Sequence, residues 1–385
     1  MTKKFMALLQ LSIVAASVAL FVSCNSNTKE DDTTTDQTKE HEKAKDSVEK
    51  NNQSADLKPE GAAPEWGPSI KPEMQVVMEK LASLGGKPIE TLDAAEARKQ
   101  PTPTDAVMAV MKDHGMVMPP ALCDTAGKEI PLSSGTTHVR IYTPKSGKAP
   151  YPVIVYYHGG GWVIADVNVY SASAQGLCEQ VGAVVVSVEY PKGPEHKFPA
   201  AHKVAFDAYQ WVIKNASSLN ADSSKIAVVG ESAGGNLAAN VSMMARDKKI
   251  KLPLYEVLVY PVANNDMNAE SYTKFANAKP LNKAMMGWFV KNALGSPAVA
   301  ADPKISLIKA NLAGLPPTLI IGAEIDPLQT EGKLLADKLK DAKVETDYQL
   351  YDGVTHEFYG MAAVVPQAKD AQALAAKKLK SAFNL

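Results

Sequence analysis

A serine between two glycines is the first feature of the sequence that can do chemistry. Ser232 lies in G-E-S-A-G at positions 230–234, between the apolar run 226–229 and a stretch with a helical pattern. In this context G-x-S-x-G is typical of a strained turn that lifts the serine hydroxyl clear of the backbone. The start of the following helix favours a developing negative charge. The motif therefore predicts that Ser232 is a nucleophile in acyl transfer.

A second motif, H-G-G-G-W at positions 158–162, follows the apolar run 153–157. Without side chains, its backbone N–H groups can approach a substrate carbonyl closely, and we expect the amides of Gly159 and Gly160 to join that of Ala233 in an oxyanion hole. The alternatives are a flexible glycine turn and a phosphate-binding loop. A phosphate loop requires G-x-G-x-x-G or a following G-K-[ST], and neither is present.

The elements that must position these motifs alternate between β-rich runs and helical patterns. The predicted strands are 139–142, 153–157, 183–190, 226–229, 255–260, 318–321 and 346–351, and the predicted helices include Ala200–Asn215, 237–248 and 328–341. Several strands are apolar throughout, which fits a parallel sheet buried on both faces. The pattern predicts a three-layer α/β fold in one domain, residues 66–385.

The two motifs, about seventy residues apart, resemble those of the hormone-sensitive-lipase-like branch of the α/β-hydrolase esterases. Tyr190 and P-E-H-K-F-P-A-A at 194–201 support the resemblance, whereas positions 191–193 and Glu231 depart from the family pattern. The resemblance implies an α/β-hydrolase fold, with a mostly parallel central sheet flanked by helices and a helical cap. It also implies a serine carboxylesterase that needs no metal or organic cofactor.

This fold orders its catalytic residues as serine, acid and then histidine. Of the seven histidines, His356 alone follows Ser232. It lies in a loop that begins with a glycine after the predicted strand 346–351 and matches the family's G-x-x-H-x-F pattern. We therefore expect His356 to be the general base.

The catalytic acid should follow a strand between the serine and the histidine. Glu324 and Asp326 both follow the run 318–321, whereas Asp266 and Asp302 follow no strong apolar strand as closely. Asp326 matches the family's D-P-L, and a proline in the next position suits the first turn of a helix. The expected triad is Ser232, Asp326 and His356.

The N-terminus has the pattern of an export signal. Lys3 and Lys4 precede a largely apolar run, 5–22, and F-V-S-C at 21–24 resembles the lipobox of bacterial lipoproteins. We expect a signal peptide at 1–23, lipidation of Cys24, membrane attachment through this anchor and a location on the bacterial cell envelope, facing the periplasm or the exterior. The alternatives are an uncleaved membrane anchor and ordinary cleavage after residues 17–19.

The segment that follows is predicted to be a disordered tether, residues 24–65. Residues 25–58 contain no aromatic and few apolar side chains, so they cannot bury enough surface to offset the entropy of ordering. The acidic cluster 29–32 is similar to surface-export signals of some Bacteroidetes lipoproteins, or it belongs to a merely solvated linker.

Composition excludes several other classes of protein. The 385 residues carry 41 basic and 42 acidic side chains, which gives a formal net charge of -1 and no general field for binding nucleic acid. Three cysteines cannot form a disulfide scaffold. Cys123 and Cys178 lack metal-site spacing and are either free or paired with each other. The sequence indicates no oligomeric state.

Two segments do not fit the strand–helix alternation, residues 72–118 and 264–294, and the family's corresponding segments form a cap. Met285, Met286, Trp288 and Phe289 could line an acyl pocket or belong to an ordinary core. The resemblance implies short- to medium-chain acyl esters as small-molecule substrates. The rival interpretations are a serine peptidase or other acyl hydrolase of the same fold, and a binding protein without catalysis.

Overall fold

The computed structural model describes residues 57–385. The predicted signal peptide, Cys24 and residues 24–56 of the predicted tether lie outside this range. Residues 57–65 contain no helix or strand, and the N–H groups of Glu60 and Gly61 donate to the Glu79 carboxylate. Among residues 57–385, no helix is long and apolar enough to cross a bilayer.

An eight-stranded sheet forms the centre of the described chain. In chain order the strands are β1 Cys123–Leu132, β2 Gly135–Pro144, β3 Tyr151–Tyr157, β4 Val184–Val188, β5 Ala221–Glu231, β6 Glu256–Val259, β7 Thr318–Ile325 and β8 Thr346–Thr355. Their order across the sheet is β1-β2-β4-β3-β5-β6-β7-β8. β2 is antiparallel to β1 and β4, and β4, β3 and β5–β8 are mutually parallel. The prediction of a mostly parallel α/β sheet is confirmed.

Helices cover both faces of this sheet. They are α1 Pro72–Ser83, α2 Ala94–Ala97, α3 Pro103–Asp113, α4 Ser171–Val181, α5 Ala200–Asn215, α6 Ala233–Asp247, α7 Glu270–Lys274, α8 Lys283–Phe289, α9 Gln329–Asp341 and α10 Pro366–Phe383. The shorter turns are 3₁₀ at Ile89–Thr91, Ala216–Leu219, Val299–Ala301, Leu307–Lys309 and Phe358–Met361, and π at Val290–Leu294. The three predicted helices are confirmed as α5, α6 and α9.

The central strands are apolar throughout because each face meets a different layer. In β3, Val153 and Val155 join the core cluster that contains α5, α6 and α9, whereas Ile154 and Tyr156 join the cluster with α1, α3, α4 and α10. Alternate side chains of a strand point to opposite faces, so both must be apolar when both are covered. The seven predicted strands are confirmed as β2 to β8.

The edge strand β1 was not predicted. Six consecutive residues of β1, from Asp124 to Glu129, are exposed, so the strand lacks the apolar alternation that marks a buried strand. It is held by its antiparallel ladder with β2 over the whole range Cys123–Leu132.

A buried carboxyl group lies between α6, β6 and β7. The side chain of Glu256 is fully buried, and it accepts hydrogen bonds from the Ser242 hydroxyl at 2.6 Å and the Thr318 hydroxyl at 2.8 Å. Burial raises the pKa of Glu256 to about 7, although the two hydroxyl groups partly oppose this rise. The group is therefore protonated in the folded state at pH values where it would be ionised in the unfolded chain.

Glu256→Gln should remove a pH-dependent penalty on stability. The folded pKa lies above the ordinary value, so the native state binds the extra proton and wild-type stability falls as pH rises from about 4.5 to about 7. A pKa shift of this size corresponds to a loss of about 3 kcal/mol in the free energy of unfolding of the wild type. The glutamine variant has no carboxyl group to titrate and should not show this loss. Urea unfolding at pH 5 and pH 8 measures the difference. Glu345→Gln, at an exposed position, serves as control; equal pH dependence of wild type and Glu256→Gln would contradict the assignment.

Candidate active site

Ser232 occupies the sharp turn between β5 and α6. Its backbone angles are φ +56° and ψ −117°, a strained conformation for a residue with a side chain. A Cβ on Gly230 would lie 2.1 Å from the carbonyl oxygen of Gly234, and one on Gly234 would lie 2.0 Å from that of Tyr157. Both motif glycines are therefore required by backbone packing, while Ser232, itself largely buried, lines a cavity.

The three residues predicted as a triad are brought into one hydrogen-bonded chain. His356 Nε2 lies 2.9 Å from Ser232 Oγ, and His356 Nδ1 lies 2.7 Å from Asp326 Oδ2. A carboxylate only accepts hydrogen bonds, so Nδ1 carries the proton and Nε2 is free to accept from the serine hydroxyl. Asp326 follows β7 and His356 follows β8, at the carboxyl edge of the parallel strands that also carries Ser232.

The electrostatics of this chain favour a basic imidazole. Burial lowers the pKa of His356, but the charge of Asp326, its hydrogen bond and the smaller effects of Glu357 and Glu231 together outweigh burial, and the net shift is upward. Asp326 is itself fully buried, and its other oxygen, Oδ1, accepts from the Leu328 N–H at 2.8 Å. The aspartate is thus held in one orientation toward the ring.

The other acids that the sequence left open do not contact His356. Glu324 accepts from the Ser69 hydroxyl and the Gly353 N–H, both at 2.7 Å, which ties the end of β7 to two loops. Asp266 and Asp302 each accept from a backbone N–H two residues ahead, in local turns.

The glycine loop lies beside the serine. Gly160 and Gly161 line the same cavity as Ser232 and His356 and have positive φ values of 96° and 58°. A Cβ on Gly160 would lie 2.3 Å from the Ile164 carbonyl oxygen, and one on Gly159 would lie 2.3 Å from the Tyr170 hydroxyl. The loop therefore tolerates no side chain at these positions.

Two aromatic groups fix the carbonyl side of this loop. The Tyr190 hydroxyl donates to the His158 and Gly159 carbonyls at 2.8 and 3.0 Å, and His158 Nδ1 donates to the Gly159 carbonyl at 2.7 Å. Burial lowers the pKa of His158 to about 4, so the ring is neutral and stacks on Tyr190 at 4.2 Å between centroids. The carbonyl oxygens of His158 and Gly159 are thus held on one side of the loop. Because C=O and N–H point in opposite directions in a trans peptide group, the N–H groups of Gly159 and Gly160 lie on the other side.

Sequence reasoning missed the role of Glu231. This buried carboxyl accepts from the Tyr156 and Tyr260 hydroxyls, both at 2.5 Å, and burial raises its pKa. The Tyr260 ring lies 4.4 Å from the His356 ring. The residue between the motif glycine and the serine therefore supports the wall against which the imidazole packs; a buried acid beside the nucleophile was the available signal.

Comparison with known proteins decides the family. A family model described as alpha/beta hydrolase fold matches residues 154–360, more than half of the chain. The chain belongs to the α/β-hydrolase fold family. It lies in the hormone-sensitive-lipase-like esterase branch of that family.

Relatives of this hydrolase carry esterase names. Carboxylesterase NlhH of Mycobacterium tuberculosis is 35% identical over 250 residues, covering 64% of this chain and 78% of the relative. Ethyl acetate hydrolase of Pseudomonas putida is 28% identical over 321 residues, covering 81% and 99%. The solved esterase of Pyrobaculum calidifontis is 35% identical, covers 81% of this chain and 98% of that one, and superposes with a TM-score of 0.72. The protein is a carboxylic ester hydrolase.

The esterase has a cavity of about 700 Å³ that reaches Ser232 and His356. Met285, Met286 and Phe289 line it, as do residues of both segments outside the strand–helix alternation. Trp288, also proposed for this pocket, instead donates from Nε1 to the Leu92 carbonyl at 2.9 Å and joins the two segments.

The remaining predicted features involve cysteines and metals. Cys123 and Cys178 are free, buried thiols in contact with each other. Within residues 57–385, no group of three or more histidine, cysteine or acidic side chains is arranged to hold a metal ion.

Proposed function

We propose that this protein is a serine carboxylesterase that hydrolyses short- to medium-chain acyl esters. Ser232 is the nucleophile, His356 the general base and acid, and Asp326 the residue that orients the histidine. The amides of Gly159, Gly160 and Ala233 form the oxyanion hole. The observation that carries the proposal is the unbroken chain from Asp326 through His356 to Ser232, with contacts of 2.7 and 2.9 Å.

Acylation follows from the proton positions in this chain. A serine hydroxyl is a weak nucleophile at neutral pH, so His356 Nε2 accepts its proton as Ser232 Oγ bonds to the ester carbon. The carbonyl π bond opens, and the negative oxygen binds the loop amides and the amide at the start of α6. Asp326 stabilises the imidazolium. When the carbonyl re-forms, the alcohol leaves with the proton from His356.

Deacylation repeats the same sequence with water. His356 accepts a proton from the water as its oxygen attacks the acyl carbon, and then returns a proton to Ser232 Oγ as the acid leaves. The neutral, Nδ1-protonated imidazole is required at both stages. The buried Asp326 fixes that tautomer throughout the cycle.

The size and the lining of the cavity support substrates with short- to medium-length acyl chains. Cavities of this volume accept small organic molecules, and the methionine and phenylalanine side chains of α8 favour an apolar group. One relative is named ethyl acetate hydrolase, which agrees with a short acyl group. Neither a peptidase nor a binding protein without catalysis receives support of this kind, since relatives carry esterase names and the three candidate catalytic side chains are in contact.

Ser232→Ala should abolish ester hydrolysis. Removing the nucleophile of such a triad lowers kcat by about a millionfold. We expect wild type to hydrolyse p-nitrophenyl acetate, butyrate and octanoate, with kcat/KM falling for the palmitate. A fluorophosphonate probe should label wild type and Ser218→Ala, at an exposed serine, but not Ser232→Ala. No turnover of any of these esters by pure wild type would contradict the proposal.

The pH profile tests the His356–Asp326 pair. Because the base must be neutral and its pKa is raised, kcat/KM should decline as pH falls through a value above the ordinary 6.5 of histidine. Asp326→Asn should lower kcat by about 10,000-fold and move this acidic limb to lower pH, since the variant loses the charge and the charged hydrogen bond that raise the pKa of His356 most, while burial still lowers it. Glu324→Gln should leave the limb in place. An unshifted limb in Asp326→Asn would rule out the assigned pairing.

We also propose that Cys24 is lipidated and attaches the enzyme to the cell envelope, on the support of the F-V-S-C motif at 21–24. Cys24→Ser should move the protein from the membrane fraction to the soluble fraction of a bacterial host. Metabolic labelling with an alkyne fatty acid provides the second readout, with Cys123→Ser as the control. Unchanged membrane retention and labelling of Cys24→Ser would exclude the anchor.

A further inference from the structure

Residues 193–198, which follow β4, contact three other parts of the molecule. The Gly193 N–H donates to the Trp162 carbonyl at 2.8 Å, which joins the segment to the turn that follows the glycine loop. The Phe198 N–H donates to the Ala293 carbonyl at 2.8 Å, which joins residues 193–198 to the π-helical turn Val290–Leu294 that follows α8. A Cβ on Gly193 would lie 2.6 Å from the Asn292 carbonyl oxygen, so this contact is a close one.

Arg98, directly after α2, joins the third part. Its guanidinium makes a two-pronged ion pair with Glu195, with contacts of 2.8 Å from Nη1 and 2.7 Å from Nη2. It also donates from Nη2 to the Gly193 carbonyl at 2.7 Å and from Nε to the Val163 carbonyl at 2.8 Å. Four of the five N–H groups of an arginine are thus used, which only a planar fork can do.

The bond to Val163 reaches the glycine loop in one step. The N–H groups of Val163 and Ile164 both donate to the Gly160 carbonyl, at 3.0 and 2.9 Å. Arg98 therefore holds the turn whose N–H groups bind the Gly160 carbonyl, and this carbonyl is joined through the Gly160 Cα to the Gly160 N–H. The Glu195 ion pair supports this arrangement electrostatically, because the Arg98 guanidinium lowers the pKa of Glu195 to about 2 and keeps the carboxylate charged.

The segment before Glu195 departs from the family pattern. The family's Y-R-L-A-P-E has its arginine next to the tyrosine, whereas this chain has Pro191 there. The guanidinium that contacts Glu195 belongs to Arg98, 97 positions earlier in the chain.

We propose that Arg98 is a positioning residue that couples docking of the segment around α2 to the geometry of the oxyanion hole. The inference rests on the proposed function, since it assigns the Gly160 amide to that hole. Arg98 would act through Val163 and Gly193, without contact between its side chain and the reacting atoms. Displacing a reacting or stabilising group by about 1 Å can cost about a hundredfold in rate.

The test compares two arginines of similar surroundings. Arg246 is partly buried like Arg98, donates to two backbone carbonyls and pairs with Asp247, but it lies at the far end of α6. We expect Arg98→Ala to lower kcat/KM about 10- to 100-fold, mainly in kcat, and Arg246→Ala to leave it unchanged. A trifluoromethyl ketone, which forms an oxyanion on the serine, should bind Arg98→Ala more weakly by the same factor.

Chemical rescue separates positioning from general loss of structure. Added guanidinium should restore part of kcat in Arg98→Ala, and Arg98→Lys should recover less than the full rate because one ammonium cannot replace the fork. Should Arg98→Ala fail to fold, Glu195→Gln removes the ion pair alone and should show a smaller loss in kcat and in ketone affinity.

Several results would overturn the inference. These are wild-type kcat/KM and ketone affinity in the folded Arg98 or Glu195 variants, or equal losses in Arg246→Ala without guanidinium rescue. Absence of ester turnover by wild type is a different outcome, because it would overturn the proposed function and the inference with it.

Discussion

The close contact between the turn at Ser232 and the end of β3 is the constraint on which the site depends. Gly234 lies so near the carbonyl oxygens of Tyr157 and His158 that no larger residue fits there. This contact is possible because β3 and β5 are parallel neighbours in the sheet, although β4 lies between them in the chain. It sets the first turn of α6 beside the loop that begins at Gly159, so Gly160 and Ser232 line one cavity. Since the contact joins backbone to backbone, no change of rotamer can relieve a mutation there.

Much of this arrangement could be predicted because it depends on local patterns in the sequence. Apolar runs marked the parallel strands, and both glycine motifs stood at strand ends, where ligands of such sheets bind. His356 followed from its place after the serine. The acid was harder, because Glu324 and Asp326 follow the same strand two residues apart. The pairing of β7 with β8 is irregular between Ala323 and Ile325, which separates their directions: Glu324 reaches the Gly353 N–H and Asp326 reaches the histidine.

What escaped prediction depends on contacts between distant parts of the chain. β1 is an exposed edge strand whose partner, β2, defines it, and its own residues carry no periodic signal. The fork of Arg98 joins residues 65 to 97 positions away, and an arginine at the end of a four-residue helix gives no sign of this. The same holds for Trp288, whose indole N–H meets the Leu92 carbonyl 196 positions earlier. The sequence pattern identifies which face of a helix or strand is apolar. It does not show which distant polar groups form hydrogen bonds with each other.

The acids around the imidazole show why burial matters as much as charge. Besides Asp326, Glu231 and Glu357 lie near His356, and the negative charge of each raises the pKa of the histidine. Burial raises the pKa of both glutamates, while tyrosine hydroxyls satisfy their oxygens: Tyr156 and Tyr260 donate to Glu231, and Tyr170 donates to Glu357. Burial thus restrains the charge of the two glutamates, and Asp326 is the acid that bonds directly to the ring. In the proposed mechanism this histidine accepts the serine proton and then releases it to the leaving alcohol.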